Sequence, residues 1–209
     1  MSTILLVCRA NVCRSPLAAG LLAHLLRDAG LESVTVASAG TEAFEEVPLC
    51  GFALTRLARA TPAPGLSSQQ VGVPRLLTVD QLDASDLILT MGTSHRAQVV
   101  ALDPRARRKT YTVKEAALFA GSLHAQTLYP TSVRDVAARM NDLRGVIRLP
   151  VPAEHWWHGL RRNVAAPDIS ILDGHARGHR AHRHTLDEVT EQVVLLAGAL
   201  GGLLTRGTV

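Results

Sequence analysis

The sequence predicts an α/β fold with a four-stranded parallel sheet and helices on both faces. Short apolar runs alternate with amphipathic stretches along the chain, the order typical of parallel strands joined by helices. The chain has 209 residues, of which 47% are hydrophobic, enough for a substantial buried core. Neither a repeat nor a linker interrupts the pattern, and we therefore expect residues 1–209 to form a single domain.

Each expected element follows from its local pattern. Four apolar runs predict strands at 3–7, 34–38, 86–91 and 109–112. Helical periodicity predicts helices at 15–29, 49–59, 94–101, 113–120, 132–144 and 186–204, and the sequence Thr78-Val79-Asp80-Gln81 resembles a capping box that begins a short helix. Loops are expected at 61–73 and, over a long irregular stretch, at 145–184, where a loop of that length is often functional.

Composition narrows the classes of function. The formal charge is +4 and the pI about 9.4, which suits anionic substrates but is too scattered for nucleic acid. We see no apolar run long enough for a membrane span and no signal peptide at the start. Three cysteines do not make a disulfide framework, so we expect a cytoplasmic protein that keeps its thiols reduced.

The pattern C-x5-R joins the first predicted strand to the first predicted helix, from Cys8 to Arg14. A loop between a strand and a helix N-terminus turns its backbone N–H groups into one concavity, which binds a tetrahedral anion. Arg14 can grip two anion oxygens with its planar guanidinium. Cys8 would then lie under the anion, placed for in-line attack on phosphorus.

The other loop residues suit the same task. The expected phosphate-binding residues are Arg9, Ala10, Asn11, Val12, Cys13, Arg14 and Ser15. Ser15 can turn its hydroxyl toward the Cys8 sulfur, and Asn11 tolerates the left-handed backbone that a sharp turn needs. Arg9 adds positive charge at the rim of the pocket.

The loop, read as V-C-x5-R-S-P, resembles the hallmark of the low-molecular-weight protein tyrosine phosphatases, with Ala10 where that family usually has glycine. Two further segments agree in order and spacing, 37–41 (ASAGT) and 84–91 (ASDLILTM) with His95 shortly after. The resemblance covers residues 2–120. It implies phosphomonoester hydrolysis through a phosphocysteine, no metal or organic cofactor, and a phosphotyrosine protein or small aryl phosphate as substrate.

The resemblance also implies a general acid, an Asp in an Asp-Pro-aromatic segment ahead of the last helix. No Asp-Pro occurs there in this chain. Asp173 and Asp168 are both candidates, and we favour Asp173. Gly174 then replaces the family's proline, and His175 takes the aromatic position in the substrate pocket.

Two pocket features are expected by position. Phe44 lies where the family places an aromatic wall beside the substrate. Gly72 stands where many members have a histidine that supports the loop, and a residue among 67–70 could substitute for it.

The remaining cysteines and histidines are ambiguous. The resemblance implies a reversible disulfide between Cys8 and Cys13, although Cys13 could instead pack under the loop. We expect Cys50 to be an isolated, buried small residue. The segment 175–184 holds four histidines and three arginines, but it has no recognised zinc spacing and no cysteine nearby in sequence. We therefore expect a solvated basic loop and no metal site.

Three other functions stay open. A phosphate-binding regulatory protein with weak or no turnover is favoured by the missing Asp-Pro. Arsenate reduction would need resolving cysteines beyond the loop, and only Cys50 is available. A phosphoarginine phosphatase is opposed by Val12, since the arginine-directed members carry threonine there.

Overall fold

The structure is a computed structural model that describes residues 2–61, 73–125, 130–150, 169–175 and 177–206. Its centre is one parallel sheet of four strands: β1 (Ser2–Cys8), β2 (Val34–Gly40), β3 (Leu87–Thr90) and β4 (Thr110–Thr112). The strand order is β2-β1-β3-β4. Because β1 is central and all strands run parallel, the residue that ends it, Cys8, lies at the carboxyl edge of the sheet, where α/β folds place their ligands.

Seven α-helices are described, and they confirm the predicted α/β class. Their bounds are α1 (Arg14–Asp28), α2 (Gly51–Ala60), α3 (Val79–Asp83), α4 (Thr93–Leu102), α5 (Val113–His124), α6 (Val133–Asp142) and α7 (His179–Arg206). A 3₁₀ helix at Pro104–Lys109 precedes β4. The predicted capping box at Thr78 and Gln81 is present at the start of α3.

Strand β1 supplies side chains to both faces of the sheet, as its period of two requires. Ile4 and Leu6 belong to the larger core, which α1, α5, α6 and α7 cover. Leu5 and Val7 belong to a smaller core on the other face, with residues of α3 and α4 such as Leu82 and Val99. The sheet is therefore covered on both faces, as the near-continuous apolar sequence of β1 predicts.

The last helix departs from the sequence prediction. It begins at His179 rather than near residue 186, so the loop expected at 145–184 ends earlier, and its residues 151–168 lie outside the described part of the chain. Helix α7 is also long and apolar enough, by length and composition, to cross a membrane, with a mean hydropathy of 1.2 over its most apolar window. Half of that window is buried, because α7 packs on α1 and α5.

Candidate active site

The loop from Cys8 to Arg14 forms where β1 ends and α1 begins, as predicted. The Cys8 side chain is buried, with 2% of the residue exposed. Its Sγ lies 3.0 Å from Ser15 Oγ. A hydroxyl at that distance can donate to a thiolate, and the N-terminus of α1 favours negative charge at the same place.

Asn11 holds the shape of the loop. Its φ of 54° is the one positive value among the described non-glycine residues, which is the left-handed conformation that Asn tolerates. Its Nδ2 donates to Ser15 Oγ and to Ser38 Oγ, each at 2.9 Å, and its Oδ1 accepts from the backbone N–H of Arg75 at 2.9 Å. The buried Asn11 side chain is thus fully engaged.

The partners Ser38 and Arg75 were not predicted. The support expected from residues 67–70 in place of a histidine at Gly72 falls outside the described residues. Ser38 lies in the 37–41 segment that the sequence analysis noted, and it pairs with Leu6 of β1. Its place on the strand beside β1 is the feature that could have indicated a contact with the loop. Ala10 does not adopt the left-handed conformation, which explains how alanine serves where glycine is usual.

Gly40 ends β2 against the loop. A Cβ at this position would lie 2.6 Å from the Arg9 carbonyl oxygen and 2.8 Å from the Asn11 nitrogen, both backbone atoms that cannot rotate away. The backbone N–H of Thr41 donates to the Cys8 carbonyl at 3.0 Å. The glycine therefore permits the close contact that fixes the loop on the edge of the sheet.

The guanidinium of Arg14 brings the acid segment to the loop. Arg14 is 4% exposed; its Nη1 donates to the Ile171 carbonyl at 3.2 Å, and its Nη2 lies 2.5 Å from Asp173 Oδ2. The structure thus places Asp173 beside Arg14, the residue expected to bind the anion. The alternative acid, Asp168, lies outside the described residues.

Segment 169–175 is anchored despite lacking the proline. The Ile171 N–H donates to the Met91 carbonyl at 2.8 Å, and Thr185 Oγ1 donates to the Leu172 carbonyl at 3.0 Å. A Cβ on Gly174 would lie 2.5 Å from Thr185 Oγ1 and closer still to the Ala181 carbonyl of α7. Glycine is therefore required here by close packing on α7.

The rim of the site carries paired charges. Arg9 Nε donates to Glu42 Oε2 at 2.7 Å, and this hydrogen bond lowers the pKa of Glu42. The positive charge expected from Arg9 is therefore balanced by a carboxylate. Phe44 is 69% exposed, as a pocket wall should be, although its role in binding stays a prediction.

His95, in the first turn of α4, is a buried neighbour of these charges. Burial, followed by the nearby Arg14 guanidinium, lowers its pKa to about 4. Its Nδ1 has no hydrogen-bond partner within the described part of the chain. His95 is therefore neutral at neutral pH, and its imidazole adds no positive charge beside Arg14.

The expectation for Cys50 and the histidine-rich segment is wrong in part. Cys50 is buried as expected but not isolated, since His182 Nε2 lies 3.5 Å from Cys50 Sγ and 3.1 Å from Cys13 Sγ. Burial raises the pKa of Cys13 strongly, and the neighbouring Cys50 thiol raises it further. Burial also lowers the pKa of His182. The ring of His175 packs edge-on against His182, with centroids 4.9 Å apart, so it does not simply face an open pocket.

Comparison with known proteins decides the family. Residues 3–126 match the family model described as low molecular weight phosphotyrosine protein phosphatase. This chain belongs to that family. Among curated relatives, the low molecular weight protein-tyrosine-phosphatase Etp of Escherichia coli K12 is 35% identical over 113 residues, which are 52% of this chain and 67% of that protein. The protein-arginine-phosphatase of Bacillus subtilis is 32% identical over 112 residues, 54% of this chain and 70% of that protein.

Solved structures agree on the fold. A YwlE mutant from Bacillus subtilis superposes with a TM-score of 0.61 at 23% identity and covers 96% of this chain and 99% of its own. A low molecular weight phosphotyrosine phosphatase from Vibrio cholerae O395 superposes with a TM-score of 0.62 at 17% identity, covering 95% of each chain. The fold of this family therefore extends past residue 126 into the part that sequence matching does not reach.

Proposed function

We propose that this family member is a protein tyrosine phosphatase that works through a phosphocysteine on Cys8. The observation that carries the proposal is the meeting of three groups at one loop: the buried Cys8 thiol under the N-terminus of α1, Arg14 at the end of the loop, and Asp173 against Arg14. A nucleophile, an anion clamp and a proton donor are the groups that phosphoryl transfer to cysteine needs.

In the first step, the Cys8 thiolate attacks phosphorus in line, and the bond from phosphorus to the ester oxygen breaks. Asp173 gives its proton to the departing oxygen. Arg14 and the backbone N–H groups of the loop stabilise the charge on the equatorial phosphoryl oxygens. The Ser15 hydroxyl, 3.0 Å from the Cys8 sulfur, stabilises the thiolate as attacking and later as leaving group.

In the second step, Asp173 acts as a base. Its carboxylate takes a proton from a water molecule, whose oxygen attacks phosphorus while the bond from phosphorus to Cys8 sulfur breaks. Inorganic phosphate and the thiolate are restored, and Asp173 ends the cycle protonated. The contact between Asp173 and Arg14 places the carboxyl group beside the loop before a phosphoryl group binds.

Phosphotyrosine is the proposed substrate because two features of the pocket suit an aromatic ester. Phe44 presents an exposed ring that can stack on an aryl group. The family resemblance implies that arginine-directed members carry threonine at the position of Val12. Valine at this position therefore favours phosphotyrosine over phosphoarginine. The substrate is then a phosphotyrosine protein or a small aryl phosphate, and a cytoplasmic site of action suits a thiol nucleophile.

Phosphoarginine is the second candidate substrate, because relatives named protein-arginine-phosphatase match this chain at 32% and 34% identity. Relatives named as tyrosine phosphatases match at 35% and 34%, so identity alone does not separate the two. Arsenate reduction remains weakly supported, since Cys50, the remaining thiol, is buried. A phosphate binder without turnover is disfavoured by the position of Asp173.

The test is a rate measurement on phosphotyrosine, phosphoserine and phosphoarginine peptides. We expect the phosphotyrosine peptide to be hydrolysed fastest, and Val12→Thr to shift the preference toward phosphoarginine. Cys8→Ser should abolish turnover while inorganic phosphate still binds, because a hydroxyl fits the loop but is a far poorer nucleophile. Fastest hydrolysis of phosphoarginine by the parent protein would replace the proposed substrate, and equal hydrolysis by Cys8→Ser would reject the mechanism.

A further inference from the structure

Outside the candidate catalytic groups, four metal-ligating side chains converge from parts of the chain that are distant in sequence. Cys13 precedes α1, Cys50 precedes α2, His175 lies in the acid segment, and His182 is in the first turn of α7. One ligand atom from each lies within 4.8 Å of the other three. We propose that this cluster of Cys13, Cys50, His175 and His182 is a binding site for a zinc-like divalent ion.

The separations fit a tetrahedral ion. Bonds of about 2.3 Å from zinc to sulfur and about 2.0 Å from zinc to nitrogen place the ligand atoms about 3.3–3.8 Å apart. His182 Nε2 lies 3.1 Å from Cys13 Sγ and 3.5 Å from Cys50 Sγ. The ligand atom of the exposed His175 ring lies within 4.8 Å of the other three, so an adjustment of this ring would complete the set.

The chemistry of the ligands selects the type of metal. Two thiolates and two imidazoles form the Cys2His2 set of structural zinc sites, and soft sulfur ligands disfavour magnesium and calcium. Binding converts the two thiols to thiolates and releases two protons. Two thiolates, two neutral imidazoles and one divalent ion have no net charge, which suits a cluster in which three of the four residues are buried.

The residues around the cluster hold the ligands in place, and a cleft beside it leaves room for an ion to enter. The Cys50 N–H donates to the Val12 carbonyl at 2.9 Å, which fixes the two cysteine-bearing turns against each other. The ring of Phe52 packs edge-on against His182, with centroids 5.5 Å apart. His182 also lines a cleft of about 700 Å³ between α2 and α7, which provides a path from solvent.

A bound ion would connect the cluster to the acid segment. The His175 N–H donates to Asp173 Oδ1 at 3.0 Å, so a metal that fixes His175 also fixes the carboxyl group beside Arg14. The ion would occupy the Cys13 thiol as well and prevent it from reacting with Cys8. Metal binding itself requires no turnover, so the proposed phosphatase activity and this site can fail separately.

The direct test is cobalt uptake by the full-length protein after chelator treatment and reduction. We expect one Co²⁺ per chain, with a thiolate-to-cobalt charge-transfer band and the strong visible bands of a tetrahedral ion, displaced by Zn²⁺. Cys50→Ser and His175→Gln should each weaken binding by more than about 100-fold, beyond the 10–100-fold typical of a residue that only supports a ligand. His175 is exposed, so its variant keeps the test valid if Cys50→Ser misfolds.

Two controls locate the ion. His184→Gln removes an exposed histidine of α7 outside the cluster, and Cys8→Ser removes the nucleophile; both should bind Co²⁺ like the parent protein. In the parent, Zn²⁺ should protect Cys13 and Cys50 from alkylation while Cys8 still reacts. Absence of the charge-transfer band, or a band that disappears in Cys8→Ser and persists in Cys50→Ser, would overturn the site. The site would also be overturned if the isolated protein contained a Cys13–Cys50 disulfide and, once that disulfide was reduced, took up no metal.

Discussion

Because Asp173 contacts Arg14, we expect it to affect both departure of the leaving group and binding of the phosphate, and these two effects can be separated. As the proposed acid, Asp173 would speed departure of the ester oxygen. As a carboxylate 2.5 Å from Arg14 Nη2, it competes with the phosphate oxygens for the same guanidinium. The negative charge of Asp173 therefore opposes binding of a phosphoryl group unless the carboxyl group is protonated.

Asp173→Asn separates these effects. We expect kcat on a phosphotyrosine peptide to fall by about 10²–10⁴-fold, as is typical when a positioned general acid is lost. Inorganic phosphate should inhibit the variant at lower concentration, since Arg14 no longer faces a carboxylate. The loss of kcat should shrink for an aryl phosphate whose leaving group is a weak base.

Asp168→Asn is the matched control for that variant. It should behave like the parent protein on both substrates. If Asp168→Asn shows the leaving-group dependence and Asp173→Asn does not, Asp168 is the acid and the contact between Asp173 and Arg14 has only a structural role.

Oxidation tests the relation between Cys8 and Cys13. In metal-free protein, mild peroxide should inactivate reversibly by a Cys8–Cys13 disulfide, because the two residues lie five positions apart in one short loop. Peptide mapping after oxidation identifies the bond. Cys13→Ser should convert the damage to irreversible sulfinic and sulfonic acids on Cys8. Irreversible damage at the same rate in the parent protein would show that Cys13 gives no protection.

At the scale of elements, Gly40 fixes the end of β2 against the phosphate loop. Gly40→Ala puts a Cβ within 2.6–2.9 Å of loop backbone atoms, so the loop must shift. We expect kcat/KM to fall by more than about 10²-fold, the scale of loss that a 1 Å misplacement of reacting groups causes.

Gly121→Ala is the control for that substitution. Gly121 lies in α5 with no atom within 4 Å of the added Cβ. It should leave kcat/KM unchanged and stabilise the helix by up to about 1 kcal/mol. Parent-like kcat/KM in Gly40→Ala, measured beside this control, would mean that the loop does not depend on its contact with β2.

At the scale of the whole molecule, His95 links stability to pH. Its folded pKa of about 4 lies below the ordinary value of 6.5, chiefly because the ring is buried. The nearby Arg14 guanidinium lowers this pKa further, and the Asp173 and Glu42 carboxylates oppose the shift. Between these two values the unfolded chain binds a proton that the folded chain does not. The stabilisation is therefore complete above pH 6.5 and is lost as the pH falls toward 4, by about 3 kcal/mol in total.

Urea unfolding at about pH 7 and about pH 5 measures this effect. His95→Gln should reduce the loss of unfolding free energy between the two conditions by about 2 kcal/mol, while the exposed control His184→Gln should not change it. His182, whose pKa burial also lowers, should account for part of the remaining loss. An unchanged pH dependence in His95→Gln would show that another group is responsible.

Local sequence predicted the parts of the site that are local in structure. The run from Cys8 to Ser15 contains its own strand end, turn and helix start, so its geometry followed from spacing. The cluster of Cys13, Cys50, His175 and His182 could not be predicted in this way. The acid segment and the packing of α1, α2 and α7 bring its members together from distant parts of the chain. The sequence also could not show why residue 174 is a glycine, since a Cβ there would collide with the Ala181 carbonyl of α7.

The measurement that tests the central claim most directly is a search for phosphate on Cys8 during turnover. Asp173→Asn, mixed with an activated aryl phosphate and stopped with a denaturant at alkaline pH, should yield one phosphoryl group on the peptide that contains Cys8. Cys8→Ala should yield none and should not hydrolyse the substrate. Hydrolysis by Cys8→Ala, or a parent enzyme that turns over with phosphate on no cysteine at any time, would contradict the account.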